Sequence, residues 1–266
     1  MNTTNSNPQV VVSLTTFPAA APYAAGAVKS VLRGTVLPDK VVLYLTHSEF
    51  EQAGIPVPQE LLELERTEPR FEIRDYPTNI RSYRKLIPAL IDFPDAIIVT
   101  IDDDVKYHRD MLRMLLELNS QYPDDILAHR AKRILLDKAY KKWPKYRWYA
   151  FLRKRIHRAY CNIQTGCAGV LYPPHSLEPT MLSPELFTSL APTTDDIWFW
   201  GAAVTNGRRI IPVPFGLNKP KSLGKPKALS LKTTNFKTGT DRNIAAFRAI
   251  LEHFPAIRQK IEDESR

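Results

Sequence analysis

Short apolar runs, spaced by stretches of helical period, divide this chain. Residues 10–14 are apolar except for Ser13, and 40–45 and 96–101 are further runs rich in Val, Ile and Leu, with a weaker one at 71–75. Nearly continuous runs of this length predict strands buried on both faces, as in a parallel sheet. Between them, residues 23–32, 60–65, 82–90 and 111–118 read as helices, the third despite Pro88. Farther on, 168–172 and 210–213 read as strands and 184–190 as a short helix. Residues 197–204 are apolar enough for a helix buried all round, and Asp241 caps a final amphipathic helix running to about residue 261. Alternation of this kind predicts an α/β fold with a mainly parallel central sheet and crossover helices. Ligands of such sheets bind beyond the carboxyl ends of the strands. The run 96–101 leads straight into three carboxylates, Asp102, Asp103 and Asp104.

Composition adds little until charge is located. Hydrophobic residues make up 44% and charged residues 24% of the 266, as in an ordinary soluble domain. No uncharged apolar run is long enough to span a bilayer, and residues 1–8 are polar, without the apolar core of a signal peptide. Cys161 and Cys167 match no metal-site spacing. A cytoplasmic, reducing compartment is the expectation. The net charge of +9 is local: residues 130–158 hold twelve Lys or Arg and one acid, Asp137, contributing +11 and leaving −2 for the rest. Something anionic, in the substrate or beside it, is implied. This segment is expected to be a basic helical insertion, two helices broken at Pro144. Residues 217–240 carry no acid and are rich in Lys, Ser, Thr, Gly and Pro, which predicts a flexible loop. Its lysines, Lys219, Lys221 and Lys225 among them, could close over a diphosphate as a lid; a plain linker fits the same composition.

Three groups of residues carry candidate chemistry. Three carboxylates at one strand end repel one another unless a cation sits among them, and Mg²⁺ or Mn²⁺ shares such sites with substrate phosphates; an Asp-rich turn capping the next helix is the plainer reading. Asp195-Asp196 precede Ile197, Trp198, Phe199 and Trp200. They read either as acids favoured at a helix start or as a general base against an apolar wall that tunes its pKa. Arg81, Arg84 and Lys85 could meet a phosphate at a helix N-terminus or form a solvated basic face.

The ordered series VVSLTTFP, LPDKVVLYL, RSYRKLIPAL, IIVTIDDDV, GCAGVLYPP and DDIWFW, over residues 11–206, resembles a group of bacterial glycosyltransferases related to glycosyltransferase family 2. The resemblance implies a Rossmann-like GT-A fold, expected over about 1–216; that fold does not explain the basic insertion at about 129–160, and composition adds a basic flexible loop or lid at 217–240 and a C-terminal helix at 241–266. It implies a nucleotide-diphosphate sugar donor, a divalent metal (Mn²⁺ or Mg²⁺) and a carbohydrate acceptor, lipid-linked or acidic, in lipopolysaccharide or capsule synthesis. Carried over, the DxD motif places Asp102 toward the donor ribose, Asp103 beside the sugar and Asp104 on the metal, with Asp102 as a second ligand. Thr15 and Thr16 fall where the nucleotide base is held, with Arg81 and Lys85 also on the donor. Asp196, with Asp195 beside it, matches the catalytic base, and one positioned base predicts inversion. Many relatives carry an acidic cluster after the second strand; here Leu45 leads to Thr46-His47-Ser48, and the last histidine is His253.

Two further expectations concern the basic segment. Trp143, Tyr146, Trp148, Tyr149 and Phe151 among its cations suit an interfacial helix pair on an anionic membrane, placing a peripheral enzyme at the inner face of the cytoplasmic membrane; a clasp for an acidic glycan or a solvated hairpin with its aromatics in the core are the alternatives. The rival class is a nucleic-acid-binding module that stacks bases on Tyr140, Trp143, Tyr146, Trp148 and Tyr149. It leaves both acidic motifs unexplained, and the expected reading is a transferase without a nucleic-acid partner.

Overall fold

Successive residues of a strand face opposite ways, and here both faces meet a core. Val11 and Val42 enter one hydrophobic cluster, while their neighbours Val12, Val41 and Leu43 enter another on the opposite side of the sheet. In the computed structural model, which describes residues 8–146, 156–214, 219–226 and 241–265, the first strands are β1 (Val10–Thr15), β2 (Lys40–Leu45), β3 (Phe71–Asp75) and β4 (Ile97–Thr100). They are followed by β5 (Val105–Lys106), β6 (Ile126–Ala128), β7 (Ala131–Arg133) and β8 (Asn162–Gln164). Then come β9 (Val170–Tyr172), β10 (Ile210–Pro212) and β11 (Lys221–Ser222).

The seven-stranded sheet has the order β10-β6-β9-β4-β1-β2-β3. Its pairings are parallel except those of β9, which runs antiparallel to β4 and β6. The expected α/β class with a mainly parallel sheet is what forms. Helices α1 (Ala21–Leu32), α3 (Gln59–Thr67) and α5 (Met111–Asn119) cover one face, contributing Val28, Leu61 and Leu112 to its cluster. Helices α4 (Ile87–Asp92), α6 (Pro184–Leu190) and α7 (Asp195–Thr205) cover the other with the C-terminal helices Arg242–His253 and Pro255–Ser265. A further helix, α2 (His47–Ala53), follows β2, where the sequence reads as a loop.

The course of the chain creates the site. It runs outward from β1 through β2 to β3, then returns to lay β4 on the other side of β1. Crossovers therefore leave β1 and β4 in opposite directions, opening a crevice at their carboxyl ends, the switch point where open α/β sheets bind ligands. Thr15 and Thr16 end one strand there, and Asp102, Asp103 and Asp104 follow the other.

Helix α7 is buried all round, as its composition predicts. Trp198, Phe199 and Trp200 are fully enclosed, and their polar atoms are satisfied: Trp198 Nε1 donates to the Met181 carbonyl (2.7 Å) and Trp200 Nε1 to that of Tyr160 (2.9 Å). Gly201 lets Ile250 of the C-terminal pair close on the helix; a Cβ there would lie 3.0 Å from its side chain.

The basic segment departs from expectation. Of the described residues, Ala131–Arg133 pairs antiparallel with Asn162–Gln164 where the sequence predicts the first helix, and Tyr140–Lys142 forms a 3-10 turn; the second expected helix falls mostly on 147–155, outside the described residues. Trp143 closes this loop. Its Nε1 donates to the carbonyls of Leu135 (3.0 Å) and Lys138 (3.1 Å), and its ring, 2% exposed, packs edge-on against Phe247. An aromatic held this way is core, neither a membrane anchor nor a stacking platform. Arg147, Trp148, Tyr149 and Phe151 lie outside the described residues, as do 217, 218 and 227–240 of the expected lid. The final helix is also two, divided at Pro255, which has no N–H to continue the first. Among the described residues no helix is long and apolar enough to cross a membrane.

Candidate active site

A turn fixes the acidic triplet. After β4 the Asp102 N–H donates to the Tyr107 hydroxyl (2.8 Å), and the Tyr107 N–H donates to Ser30 Oγ of α1 (2.9 Å), tying both ends of the turn to buried groups. The three carboxylates then part. Asp103 turns inward, 6% exposed, and accepts from Thr16 Oγ1 (2.7 Å) and Lys225 Nζ (3.0 Å). Asp104 meets the same Lys225 ammonium at 2.9 Å, while Asp102 leans toward Lys85 at 3.4 Å. Burial pushes the Asp103 carboxyl upward, against the opposing pull of Lys225 and Thr16.

Lys85 reaches the triplet from the 3-10 turn Arg81–Lys85. Its ammonium also lies 2.9 Å from Asp195, so one buried cation joins the two acidic motifs. Burial opposes its charge, but Asp195, Asp102 and Asp196 outweigh that and hold its pKa well above the usual lysine value. Its neighbour Arg84 lies in the cleft lining but is engaged by the protein's own acceptors. It is 2% exposed, and its guanidinium donates to Thr15 Oγ1 (2.8 Å), the Thr16 carbonyl (2.6 Å), Thr46 Oγ1 and Glu49 (2.6 Å). It clamps the carboxyl ends of β1 and β2 instead of meeting a phosphate. Thr15 Oγ1 in turn donates to the Tyr44 carbonyl (2.8 Å), so both threonine hydroxyls position the strand end. Arg81, held with positive φ of 54°, lines the cleft opening with Asn79 and Glu49. Glu49, in the first turn of α2, lines the cleft and pairs with Arg84 (2.6 Å).

Asp195 and Asp196 occupy the first turn of α7, as their composition predicts, but their surroundings separate them. Asp195 is 6% exposed, accepts from Ser82 Oγ (2.8 Å) and pairs with Lys85. Asp196 is half-buried and accepts the Gly166 N–H with both oxygens at 3.1 Å. Burial and the adjacent charge of Asp195 raise its pKa to about 7, against the pull of Lys85. A carboxylate with such a pKa exchanges a proton near neutrality. Gly166 makes this approach possible: a Cβ there would lie 2.7 Å from Lys85 Nζ and 3.0 Å from Asp196 Oδ1.

All nine residues carried over from the family resemblance line one open cleft of about 1260 Å³. Its second wall is basic, formed by Arg130, Lys132, Lys141 and Lys145 with Tyr140. Arg130 donates to Cys167 Sγ (2.9 Å), and Lys132 Nζ donates to the Tyr140 carbonyl (2.9 Å) and sits 3.5 Å from the Tyr140 ring centroid. The local density of charge pointed to these residues; that they share a cleft with the aspartates could not be read from spacing.

The triplet offers the hard oxygen donors that Mn²⁺ or Mg²⁺ prefers, and the ammonium between Asp103 and Asp104 marks a point where those oxygens hold a cation. Among the described residues no three His, Cys, Asp or Glu side chains converge to hold an ion. A metal here would draw its remaining ligands from substrate phosphates and water, as Mg²⁺ commonly does. On that chemistry the residues fit.

The fold is that of the GT-A-type glycosyltransferases. Two solved structures of S. aureus TarS 1-349 match it, one in complex with UDP, each with a TM-score of 0.50 at 13% and 14% sequence identity respectively. Each match covers 78% of this chain and 58% of the TarS chain, so this chain spans little more than half the length of those it matches. At such identity the likeness establishes the fold alone. No family model matches the sequence, and no curated protein matches it.

Proposed function

We propose that this chain is a glycosyltransferase that moves a sugar from a nucleotide-diphosphate donor to a carbohydrate acceptor with inversion. One observation carries the reading: the acidic triplet at the β1/β4 switch point and a carboxylate with a raised pKa, Asp196, face the same cleft. The donor lies over the end of β1 beside Thr15, Thr16 and Arg81, with its diphosphate at the Asp102–Asp104 turn. The UDP in one TarS complex supports a nucleotide donor here. Asp104, with Asp102 or Asp103, would hold a divalent ion, which would supply positive charge to neutralise the departing nucleoside diphosphate. Asp196 accepts the proton of the acceptor hydroxyl, whose oxygen attacks the anomeric carbon in line with the leaving diphosphate. Asp195 and Lys85 hold Asp196 and the triplet in register.

The acceptor lies toward Arg130, Lys132, Lys141 and Lys145. A wall of that charge suits an acidic glycan, and with the sequence resemblance the acceptor class is a bacterial surface glycan such as lipopolysaccharide or capsule. The nucleic-acid reading loses Trp143, which packs against Phe247. The test is release of nucleoside diphosphate from a panel of nucleotide sugars with Mn²⁺, with and without anionic oligosaccharides. Turnover of one donor, lost in Asp196→Asn, is expected. Undiminished turnover by Asp196→Asn would reject its role as base.

A further inference from the structure

The strand β11 brings a lysine to the acidic triplet by a route that owes nothing to the triplet's own charge. Lys221 and Ser222 pair antiparallel with Lys106 and Val105, immediately after Asp104. The Leu223 N–H continues this ribbon by donating to the Asp104 carbonyl (2.8 Å). The Leu223 side chain rests on α1 at Gly26, where a Cβ would meet it at 3.1 Å. Gly224 then turns the chain with φ of 89°, a conformation glycine adopts without strain, and Lys225 points back into the site. Its Nζ lies 3.0 Å from Asp103 and 2.9 Å from Asp104, with the face of Phe17 at 6.0 Å. Hydrogen bonding, apolar contact and a turn thus place this ammonium between two carboxylates before any ion pair is counted.

We propose that Lys225 and a divalent ion are exclusive occupants of the Asp103–Asp104 pair, so that an ion enters only as the segment 219–226 releases. The inference rests on the metal reading above. An ion bound at about 2.1 Å from these oxygens would fall within about 3 Å of Nζ and compete for the same lone pairs. Two cations cannot share that space. The apparent affinity for the ion is then lowered by the fraction of molecules in which Lys225 has left, and ion binding becomes the event that frees the strap beside the donor diphosphate. The device keeps the carboxylates compensated when no substrate is present and couples loading of the site to movement of the chain that borders it.

The experiment titrates the full chain with Mn²⁺ alone, followed by electron paramagnetic resonance, in wild type, Lys225→Gln and Lys225→Arg. Amide exchange of residues 219–226 is measured in wild type with and without Mn²⁺. The expected result is at least ~10-fold tighter binding in Lys225→Gln, near-wild-type binding in Lys225→Arg, and faster exchange at the Leu223 amide when wild type is saturated. Equal Mn²⁺ affinity in wild type and Lys225→Gln overturns the proposal and leaves the metal reading standing. Tighter binding by Lys225→Gln with no change in wild-type exchange also overturns it, because removal of a nearby charge then suffices. Failure of all three proteins to bind Mn²⁺, even with nucleoside diphosphates present, removes the metal reading and this inference together.

Discussion

Lys85 and Asp195 form a buried ion pair at 2.9 Å, and the same ammonium lies 3.4 Å from Asp102, so the strand that ends in the triplet and the helix that begins with the acidic pair share one cation. Removing one partner of such a pair strands a buried charge at a cost of about 3–5 kcal/mol. Lys85→Met is therefore expected to destabilise the chain by about 3 kcal/mol in urea unfolding. The double variant Lys85→Met/Asp195→Asn should recover part of that loss, because the orphaned carboxylate is gone. A double variant no more stable than the single would show the pair to be uncoupled.

Asp196 should reveal itself through pH. Its pKa is raised to about 7, and the deprotonated form is the one that accepts a proton. The kcat/KM of wild type is therefore expected to rise with pH through about 7 and level off above it. Asp196→Asn should lose this limb and at least ~100-fold in kcat with donor binding retained. Asp195→Asn should act differently, lowering stability through Lys85 while keeping the limb. If Asp195→Asn abolishes the limb and Asp196→Asn preserves it, the roles are reversed.

Gly166 is a geometric requirement of the site. Alanine there must displace the Lys85 ammonium or the Asp196 carboxylate, and both are held by buried partners. Gly166→Ala is expected to reduce kcat at least ~10-fold, since misplacing a reacting group by about 1 Å can cost more than that. Donor binding measured by calorimetry should change little. Full turnover by the alanine variant would show that the cleft yields freely at this point.

Trp143 separates core from surface. Its ring is buried and its Nε1 is bonded to two carbonyls. Trp143→Ala should cost about 3–5 kcal/mol of stability, with sedimentation on anionic vesicles no different from wild type. Lost vesicle binding at unchanged stability would restore the membrane role expected from sequence.

The inner strands were legible because both faces of the sheet are covered, which writes burial as unbroken apolar runs: β2 begins and ends where composition places it. The triplet and the acidic pair were legible for a related reason, standing where an apolar run stops. What sequence could not supply was pairing at a distance. Arg84 and Lys85 are adjacent and alike in charge, yet one clamps β1 to β2 and the other bridges two acidic motifs, because a 3-10 turn aims their side chains differently. The basic segment misled for a physical reason. In its described part Trp143 Nε1 finds two carbonyl acceptors in a loop closed on Leu135 and Lys138, a pairing that charge density does not announce.

The central claim, that this cleft binds a nucleoside diphosphate through the acidic triplet, is tested most directly by calorimetry. UDP, GDP, CDP, ADP and dTDP would each be titrated into wild type and Asp104→Ala in the presence of Mn²⁺. The account predicts that at least one binds wild type at micromolar concentration and binds Asp104→Ala at least ~10-fold more weakly, since the diphosphate then loses a cation that its charge requires. Binding of none, or equal binding to both proteins, would contradict it.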